Sequence, residues 1–432
     1  MPREREAFAR RIRTREARIG IAGLGYAGLP LAIAFADAGF HVTGIDLDST
    51  RVTAIRERRS YLVDVTSESY DRLDGRLQAT EDYAAMGELD AITICVPTPL
   101  AKSNTPDMTY VVSAAESVAK QLHPGQLVVL QSTTYPGTTG EVIKPILEAS
   151  GGQVGVDFYL GYAPERVDPG NAHYTLRNTP KLVGGITEEC LARTELLYQQ
   201  VVDEVIAVSS TTVAETAKLH ENTFRAVNIA LANELALMCD RLGISVWEVI
   251  EAASSKPFGF MTHYPGPGLG GDCIPVVPHF LAWRMREYGY SPQLIEAAHE
   301  VNVQMPLFVV QKVTDALNEM VLPVKNSRLL LLGMAYKANV HDTRESPSLE
   351  IMRQLLARGA EVSYCDPWVP EIELDEKVHT SVEWSSENVE KADCVVMLTP
   401  HREFLAHAAW DKARMVVDTR NVVPASANVR II

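Results

Sequence analysis

Between Arg18 and Asp46 the chain runs an apolar strand-like stretch, RIGIAG, a glycine turn opening the helix-like LGYAGLPLAIAFADAG, and a second strand-like stretch, FHVTGID. One βαβ unit is the expectation, and such units build parallel sheets covered by helices. Gly23, Gly25 and Gly28 form G-x-G-x-x-G at the strand-to-helix turn. There the missing side chains let backbone N–H groups approach a pyrophosphate at the helix N-terminus. Asp46 closes the second strand about 20 residues on, where a carboxylate accepts hydrogen bonds from the adenosine ribose hydroxyls. It would also repel a 2′-phosphate, so NAD is expected as cofactor rather than NADP. The alternative is that the glycines only permit a tight turn and Asp46 only caps a loop.

More apolar strand candidates follow at Ala91–Val96 and Leu127–Gln131, with a weaker one near Gly155–Leu160. Val213–Leu242 contains neither Gly nor Pro, follows Ser209–Thr212 and stops at Gly243, which predicts one long helix. A short helix is expected over Val246–Ala253, and then Pro257–Pro278, dense in Gly and Pro, must be a shaped loop. After Pro323 the α/β rhythm restarts with RLLLLGMAYK, a helix opened by Ser346 and Pro347 and closed by Gly359, and further strands. The expected fold class is therefore α/β: two Rossmann-like domains joined by a long central helix. The expected boundaries are an arm over 1–17, a dinucleotide domain over 18–208, a central helical and loop region over 209–322, and a second nucleotide domain over 323–432.

Composition narrows the partners. A formal charge of -15 disfavours a chain that grips nucleic-acid phosphates. No run approaches the roughly 20 apolar residues that cross a bilayer. The N-terminal stretch alternates Arg and Glu without the apolar run of a secretory signal, and a solvated arm is expected. Cys95, Cys190, Cys239, Cys273, Cys365 and Cys394 show no paired spacing, which favours a reduced, cytoplasmic compartment. His220, His263, His279 and His299 are singletons, so no metal is expected.

The segments GLGYAGLPLA, CVPTPL, QSTTYPGTT, PERVDPGN, AKLHENTFRAVNIALANEL, KPFGFMTHYPGPGLGGDCIP and GMAYKANVHDTRESPS occur in this order. Together they resemble the UDP-glucose/GDP-mannose dehydrogenase family over nearly the whole chain, and PERVDPGN with the YPGPGLGG loop is most similar to the UDP-N-acetylglucosamine 6-dehydrogenase branch. The resemblance implies a four-electron oxidation of a nucleotide-sugar C6 hydroxymethyl to a carboxylate, with two NAD consumed per sugar. Cys273 would be the nucleophile: after the first hydride leaves C6 a thiolate adds to the aldehyde, and the thiohemiacetal gives a thioester that water cleaves. Read without the resemblance, Cys273 could equally be a small buried hydrophobe.

Lys218 and Asn222 share one helix face at i and i+4 and, by resemblance, stabilise charge on the C6 oxygen; by spacing alone they form a solvated stripe. Glu165 and Thr133 match positions near the reacting carbon and its water, Glu165 as a carboxylate that positions or deprotonates it. The resemblance places Tyr26, Ala27, Arg51, Pro97, Thr98, Thr133 and Arg420 with the three glycines and Asp46 toward the cofactor. It places Arg166, Val167, Phe258, Tyr264, Gly268, Gly270, Lys337 and Arg344 with Glu165, Lys218 and Asn222 toward the nucleotide sugar, Lys337 and Arg344 on its diphosphate. A homodimer or larger homo-oligomer is implied as well.

One departure stands out. The family segment carries an aspartate four residues after the cysteine; here Val277 occupies it, and Asp272 precedes Cys273. Either Asp272 takes over the missing carboxylate role, or it hydrogen-bonds backbone N–H groups of its Gly-rich loop. Two rivals remain: a two-electron hydroxyacid dehydrogenase, which needs neither Cys273 nor a second nucleotide domain, and a binding protein without turnover.

Overall fold

The computed structural model describes residues 2–432 except 63, 64, 102, 169, 172, 406 and 407. Met1 of the expected arm and Pro169 of the PERVDPGN segment lie outside the described residues. The chain forms two compact units. One takes in the residues through Glu221 with His279–Tyr290, and the other takes in Asn222–Pro278 with Ser291–Ile432. No separate central unit is set apart over 209–322: the long helix, observed over Thr211–Leu242, is divided between the two. A helix of 32 residues spans about 48 Å, more than one small domain can flank.

The first unit is built on an eight-stranded sheet. Its strands are β1 Arg18–Ala22, β2 His41–Ile45, β3 Leu77–Thr80, β4 Ala91–Ile94, β5 Leu127–Leu130, β6 Tyr159–Tyr162, β7 Lys181–Gly185 and β8 Val205–Ala207. Their order is β3-β2-β1-β4-β5-β6-β7-β8. Every residue of β4 and β5 is buried, as in a sheet covered on both faces by helices. β1 pairs in parallel with β2 on one side and β4 on the other, so the connections diverge there and leave a crevice at the strand ends. The parallel run breaks between β6 and β7, which pair antiparallel with Tyr162 opposite Gly184, and β8 then runs parallel to β7. The first residue of β7, Lys181, therefore emerges at the edge where β5 and β6 end.

The N-terminal segment is not a solvated arm. It forms a helix, Pro2–Arg13, whose Phe8 and Ile12 are buried, with the Arg193 guanidinium 4.8 Å over the Phe8 ring and Arg11 paired to Asp90 at 2.5 Å. Phe8 and Ile12 stand four apart and share one helix face, so burying two apolar side chains anchors an otherwise charged segment.

The second unit carries a five-stranded, fully parallel sheet in the order β10-β9-β13-β14-β15. Here β9 is Arg328–Leu332, β10 Glu361–Cys365, β13 Cys394–Met397, β14 Val416–Asp418 and β15 Val429–Ile431; β11 Glu371–Leu374 and β12 Lys377–Thr380 pair as a separate hairpin. The helix expected after Ser346 runs Pro347–Ala357. A 27-residue helix, Gln293–Glu319, tolerates Pro306 in its interior. Among the described residues no helix is long and apolar enough to cross a membrane.

Candidate functional site

In the first unit the glycine turn joins β1 to the helix Gly28–Asp37. A Cβ on Gly28 would lie 1.8 Å from the Gly23 carbonyl oxygen, so only glycine lets the helix start this close to the strand end. At Gly25 a Cβ would meet nothing nearer than the Arg51 guanidinium at 3.9 Å, which leaves the backbone open to an approaching group. Asp46 is buried and fixed: its Oδ2 accepts from the Leu24 N–H at 2.7 Å and its Oδ1 from the Asp48 N–H at 2.9 Å. Arg51 stands 3.2 Å from Asp46 and 3.3 Å from Asp48, its charge shared between two carboxylates. Tyr26 and Ala27 lie in the turn, Tyr26 exposed. Thr98, after Pro97 at the end of β4, donates through Oγ1 to the Thr133 carbonyl at 2.8 Å, tying β4 to β5 beside the crevice. An open glycine turn, an anchored carboxylate and a strand-end crevice fit a dinucleotide.

Glu165 follows β6 and is the centre of a network that the sequence did not announce. Oε1 accepts from the Arg166 and Val167 N–H groups at 2.8 and 2.9 Å; Oε2 accepts from Gln131 Nε2 at 2.9 Å and Lys181 Nζ at 3.2 Å. Burial alone would push the carboxyl up, but the Lys181 ammonium and the backbone N–H groups hold it below the usual carboxylate range. With four donors satisfied, Glu165 is a fixed anion, better suited to orient water than to keep a proton. Arg166 turns instead to Glu221 of the long helix at 2.7 Å and to the Pro180 carbonyl at 2.6 Å.

The long helix is pinned to the first unit by Glu215, which accepts from the Gly137 N–H at 2.6 Å, the Thr139 N–H at 2.8 Å and the Thr139 hydroxyl at 2.6 Å. Burial pushes this carboxyl up to about 7. One turn on comes Lys218 and a turn beyond it Asn222, both buried, so neither belongs to a solvated stripe. The Asn222 Nδ2 is buried with no hydrogen-bond partner among the described residues. Leaving such a donor unmet costs about 1–3 kcal/mol, which is recovered when a ligand oxygen accepts from it.

In the second unit Cys273 ends the Gly-rich loop and is exposed, while Cys95, Cys190, Cys239, Cys365 and Cys394 are buried. Burial pushes the Cys365 and Cys394 thiols up to about 12, and Cys95 higher still, so these are poor nucleophiles. The loop is held in shape from two directions. Asn233, buried on the long helix, accepts from the Gly266 N–H at 2.9 Å and donates to Asn302 at 2.8 Å. Gly270 lies against Tyr336, whose Cβ would be 2.6 Å from an added Cβ, and Gly268, at φ 136°, faces Pro347. The Gly271 N–H donates to the Arg344 carbonyl at 2.9 Å. Val277 is buried at the start of the helix Val277–Glu287 and donates its N–H to the Cys273 carbonyl at 2.8 Å, an apolar and backbone role.

Asp272 accepts from Arg344 Nη1 at 2.5 Å, and the same guanidinium is held by Asp342, Nη2 to Oδ2 at 2.7 Å. The carboxylate is thus engaged with a cation of the facing segment. Lys337 follows Tyr336 on that segment, partly buried. Tyr264 stacks on Trp247 at 5.6 Å, whereas Phe258 is 71% exposed. Arg420, after β14, donates Nε to the Leu398 carbonyl at 2.7 Å and packs against Gly266, so its described neighbours are in the second unit while the glycine turn is in the first. Lys181, Gln131 and Asn233 were missed by sequence reasoning; only Asn233, a polar residue in an apolar helical run, carried a local signal. Among the described residues no group of three or more His, Cys, Asp or Glu is arranged to hold a metal ion.

Three consecutive family models match the chain: the NAD binding domain of the UDP-glucose/GDP-mannose dehydrogenase family over residues 17–202, its central domain over 212–304 and its UDP binding domain over 330–425. The chain is similar to the UDP-N-acetyl-D-mannosamine dehydrogenase of Pyrococcus horikoshii, 35% identical over 94% of this chain and 96% of that relative. It is also similar to the UDP-N-acetyl-D-glucosamine 6-dehydrogenase of Pseudomonas aeruginosa, 34% identical over 90% and 92%. The solved structure of the UDP-D-ManNAc dehydrogenase of Pyrococcus horikoshii covers 96% of this chain and 99% of its own, at 34% identity and a TM-score of 0.89. With all three domains matched in order, the chain belongs to the UDP-glucose/GDP-mannose dehydrogenase family and is an NAD-dependent nucleotide-sugar dehydrogenase.

Proposed function

We propose that the protein oxidises the C6 hydroxymethyl of a UDP-N-acetylhexosamine to the uronate in two successive two-electron steps. The observation that carries the proposal is Cys273: exposed on a loop braced by Asn233, Tyr336 and Arg344, where the five other cysteines are buried. NAD, when bound, supplies the hydride acceptor for each step. Cys273 adds to the C6 aldehyde, so that the thiohemiacetal carries the carbon to a thioester. Lys218 and Asn222 donate to the C6 oxygen as it gains charge, an assignment supported by the unmet Asn222 amide. Glu165, with Thr133 of the segment that follows β5, orients the water that releases the acid. Lys337 and Arg344 take the diphosphate, with Arg166, Val167, Phe258, Tyr264, Gly268 and Gly270 on the rest of the nucleotide sugar. Gly23, Gly25, Tyr26, Ala27, Gly28, Asp46, Arg51, Pro97, Thr98 and Arg420 serve the cofactor.

The N-acetylhexosamine is favoured because similar relatives are named for UDP-N-acetyl-D-mannosamine and UDP-N-acetyl-D-glucosamine. UDP-glucose or dTDP-glucose is the second reading, since a UDP-glucose dehydrogenase of Pyrobaculum islandicum superposes with a TM-score of 0.85 at 28% identity. A panel of UDP-ManNAc, UDP-GlcNAc, UDP-glucose and dTDP-glucose with NAD, followed at 340 nm, should show the highest kcat/KM for an N-acetylated sugar. A preference for either glucose nucleotide would replace the first reading with the second.

The reading includes a homodimer in a reducing cytoplasm. The scattered spacing of the six cysteines supports the compartment. Phe224, Leu231 and Met238 support the dimer: they are exposed at seven-residue spacing on the long helix, an apolar stripe suited to a second copy.

The Asp272–Arg344 pair yields a prediction of its own. If Asp272 fills the role vacated at Val277, Asp272→Asn should give a rapid NADH burst and then stall as a covalent Cys273 adduct visible by intact mass. If Asp272 serves to hold Arg344, the variant should turn over without an adduct and show a changed KM for the nucleotide sugar. The pairing at 2.5 Å favours the second result.

A further inference from the structure

Lys181 has no place in the reaction as described, yet the fold brings it to Glu165 by a deliberate route. β6 and β7 pair antiparallel with Tyr162 opposite Gly184; continuing that register by three residues sets Glu165 opposite Lys181. The strand direction reverses at β7, and the reversal is what delivers its first residue to the edge where β5 and β6 end. Lys181 is 4% exposed, whereas Glu165 keeps 20% of its side chain open. The ammonium is thus nearly covered, while the carboxylate it holds stays partly open. It donates to Glu165 at 3.2 Å and to the Gln131 side-chain oxygen Oε1 at 3.2 Å, and the same Oε1 accepts from the Tyr198 hydroxyl at 2.8 Å.

Stability alone is a weak reason for this arrangement. A buried ion pair recovers little of its desolvation cost, and apolar residues of similar volume commonly serve the fold as well or better. A buried cation retained beside a partly open carboxylate therefore points to what the carboxylate does.

We propose that Lys181 is a positioning residue for thioester hydrolysis, holding Glu165 as an oriented anion. The inference rests on the reading that Glu165 serves the hydrolytic water. In that step the water oxygen bonds to the thioester carbon and the carbon–sulfur bond breaks, its electron pair leaving with Cys273. One water proton is drawn toward Glu165 and ends on the sulfur, so the sugar leaves as the acid and no electrons change hands. The anion must be present for this, and it must face the water.

Among the described residues, the groups that act on Glu165 or on its partner Lys181 include Lys181 itself from β7, Gln131 after β5, Cys95 after β4 and Tyr198 on the helix Glu188–Tyr198, with Lys218 of the long helix acting on Lys181 and Arg166, paired to Glu221, following in sequence. Cys95 and Tyr198 are held neutral by burial. Replacing Lys181 by an uncharged residue leaves burial to favour the protonated carboxyl, so Glu165 should protonate at higher pH than before.

The test compares Lys181→Met, Lys181→Gln, Lys181→Arg and Glu165→Gln with the wild type, reading kcat against pH, the NADH burst and the Cys273 adduct by intact mass. Lys181→Met should keep the burst, accumulate the thioester, and lose about tenfold in kcat per pH unit on the acid side where the wild type is flat. Lys181→Gln, which keeps a donor and loses the charge, should do the same and stands in if the methionine variant does not fold. Lys181→Arg should restore the flat profile, and Lys181→Met with Glu165→Gln should be no slower than Glu165→Gln alone. A wild-type profile for Lys181→Met or Lys181→Gln, with Glu165→Gln still stalling at the thioester, overturns the role of Lys181. Normal turnover by Glu165→Gln overturns the underlying reading of Glu165 and the inference with it.

Discussion

Lys218→Ala should lower kcat by roughly two to three orders of magnitude while the nucleotide sugar still binds, the loss expected when one donor to a developing oxyanion is removed, about 3–4 kcal/mol. Lys218 is 8% exposed on a helix whose next turn carries the unmet Asn222 amide. A donor of this kind acts chiefly in the transition state, so the effect should fall on kcat and leave substrate affinity nearly intact. Collapse of the fold is not the expected cause of the loss. Burial chiefly disfavours Lys181 as a cation and Lys218 adds a smaller like-charge repulsion, which removing Lys218 relieves. Steady-state kinetics with a separate measurement of nucleotide-sugar affinity checks the prediction. An unchanged kcat would remove Lys218 from the reaction, and an equal loss in affinity would make it a binding residue only.

What could be read from the sequence was what the chain encodes locally. The glycine turn and Asp46 are legible because strand, turn, helix and strand are contiguous, and Gly28 answers a steric demand set five residues earlier by the Gly23 carbonyl. The loop before Cys273 is legible because its Gly and Pro density rules out helix and strand. The long helix was expected from Val213 and starts at Thr211. Lys181 was not legible: it reads as the first residue of an apolar strand, and its meaning depends on β7 pairing antiparallel to β6. The Asp272–Arg344 pair joins residues 72 apart, so Asp272 could be weighed only against its own loop. The N-terminal helix was missed because its charges mask two apolar residues that need the neighbouring helix to hide them. In each case the missing information was a partner distant in sequence.

Cys273→Ala should abolish uronate formation, the largest single effect expected. The alanine cannot form the thiohemiacetal, and an aldehyde without that covalent hold has no thioester to reach. Its effect on the fold should be small: Cys273 is exposed, and its backbone contact, the carbonyl accepting from Val277, does not involve the side chain. Residual activity, if any, should be a single oxidation to the aldehyde. Counting NADH against product in the wild type and in this variant therefore tests the four-electron chemistry most directly. The expected result is two NADH per sugar consumed, with uronate as product, in the wild type, and no uronate from Cys273→Ala. One NADH per sugar with free aldehyde from the wild type, or uronate formed at the wild-type rate by the variant, would contradict it.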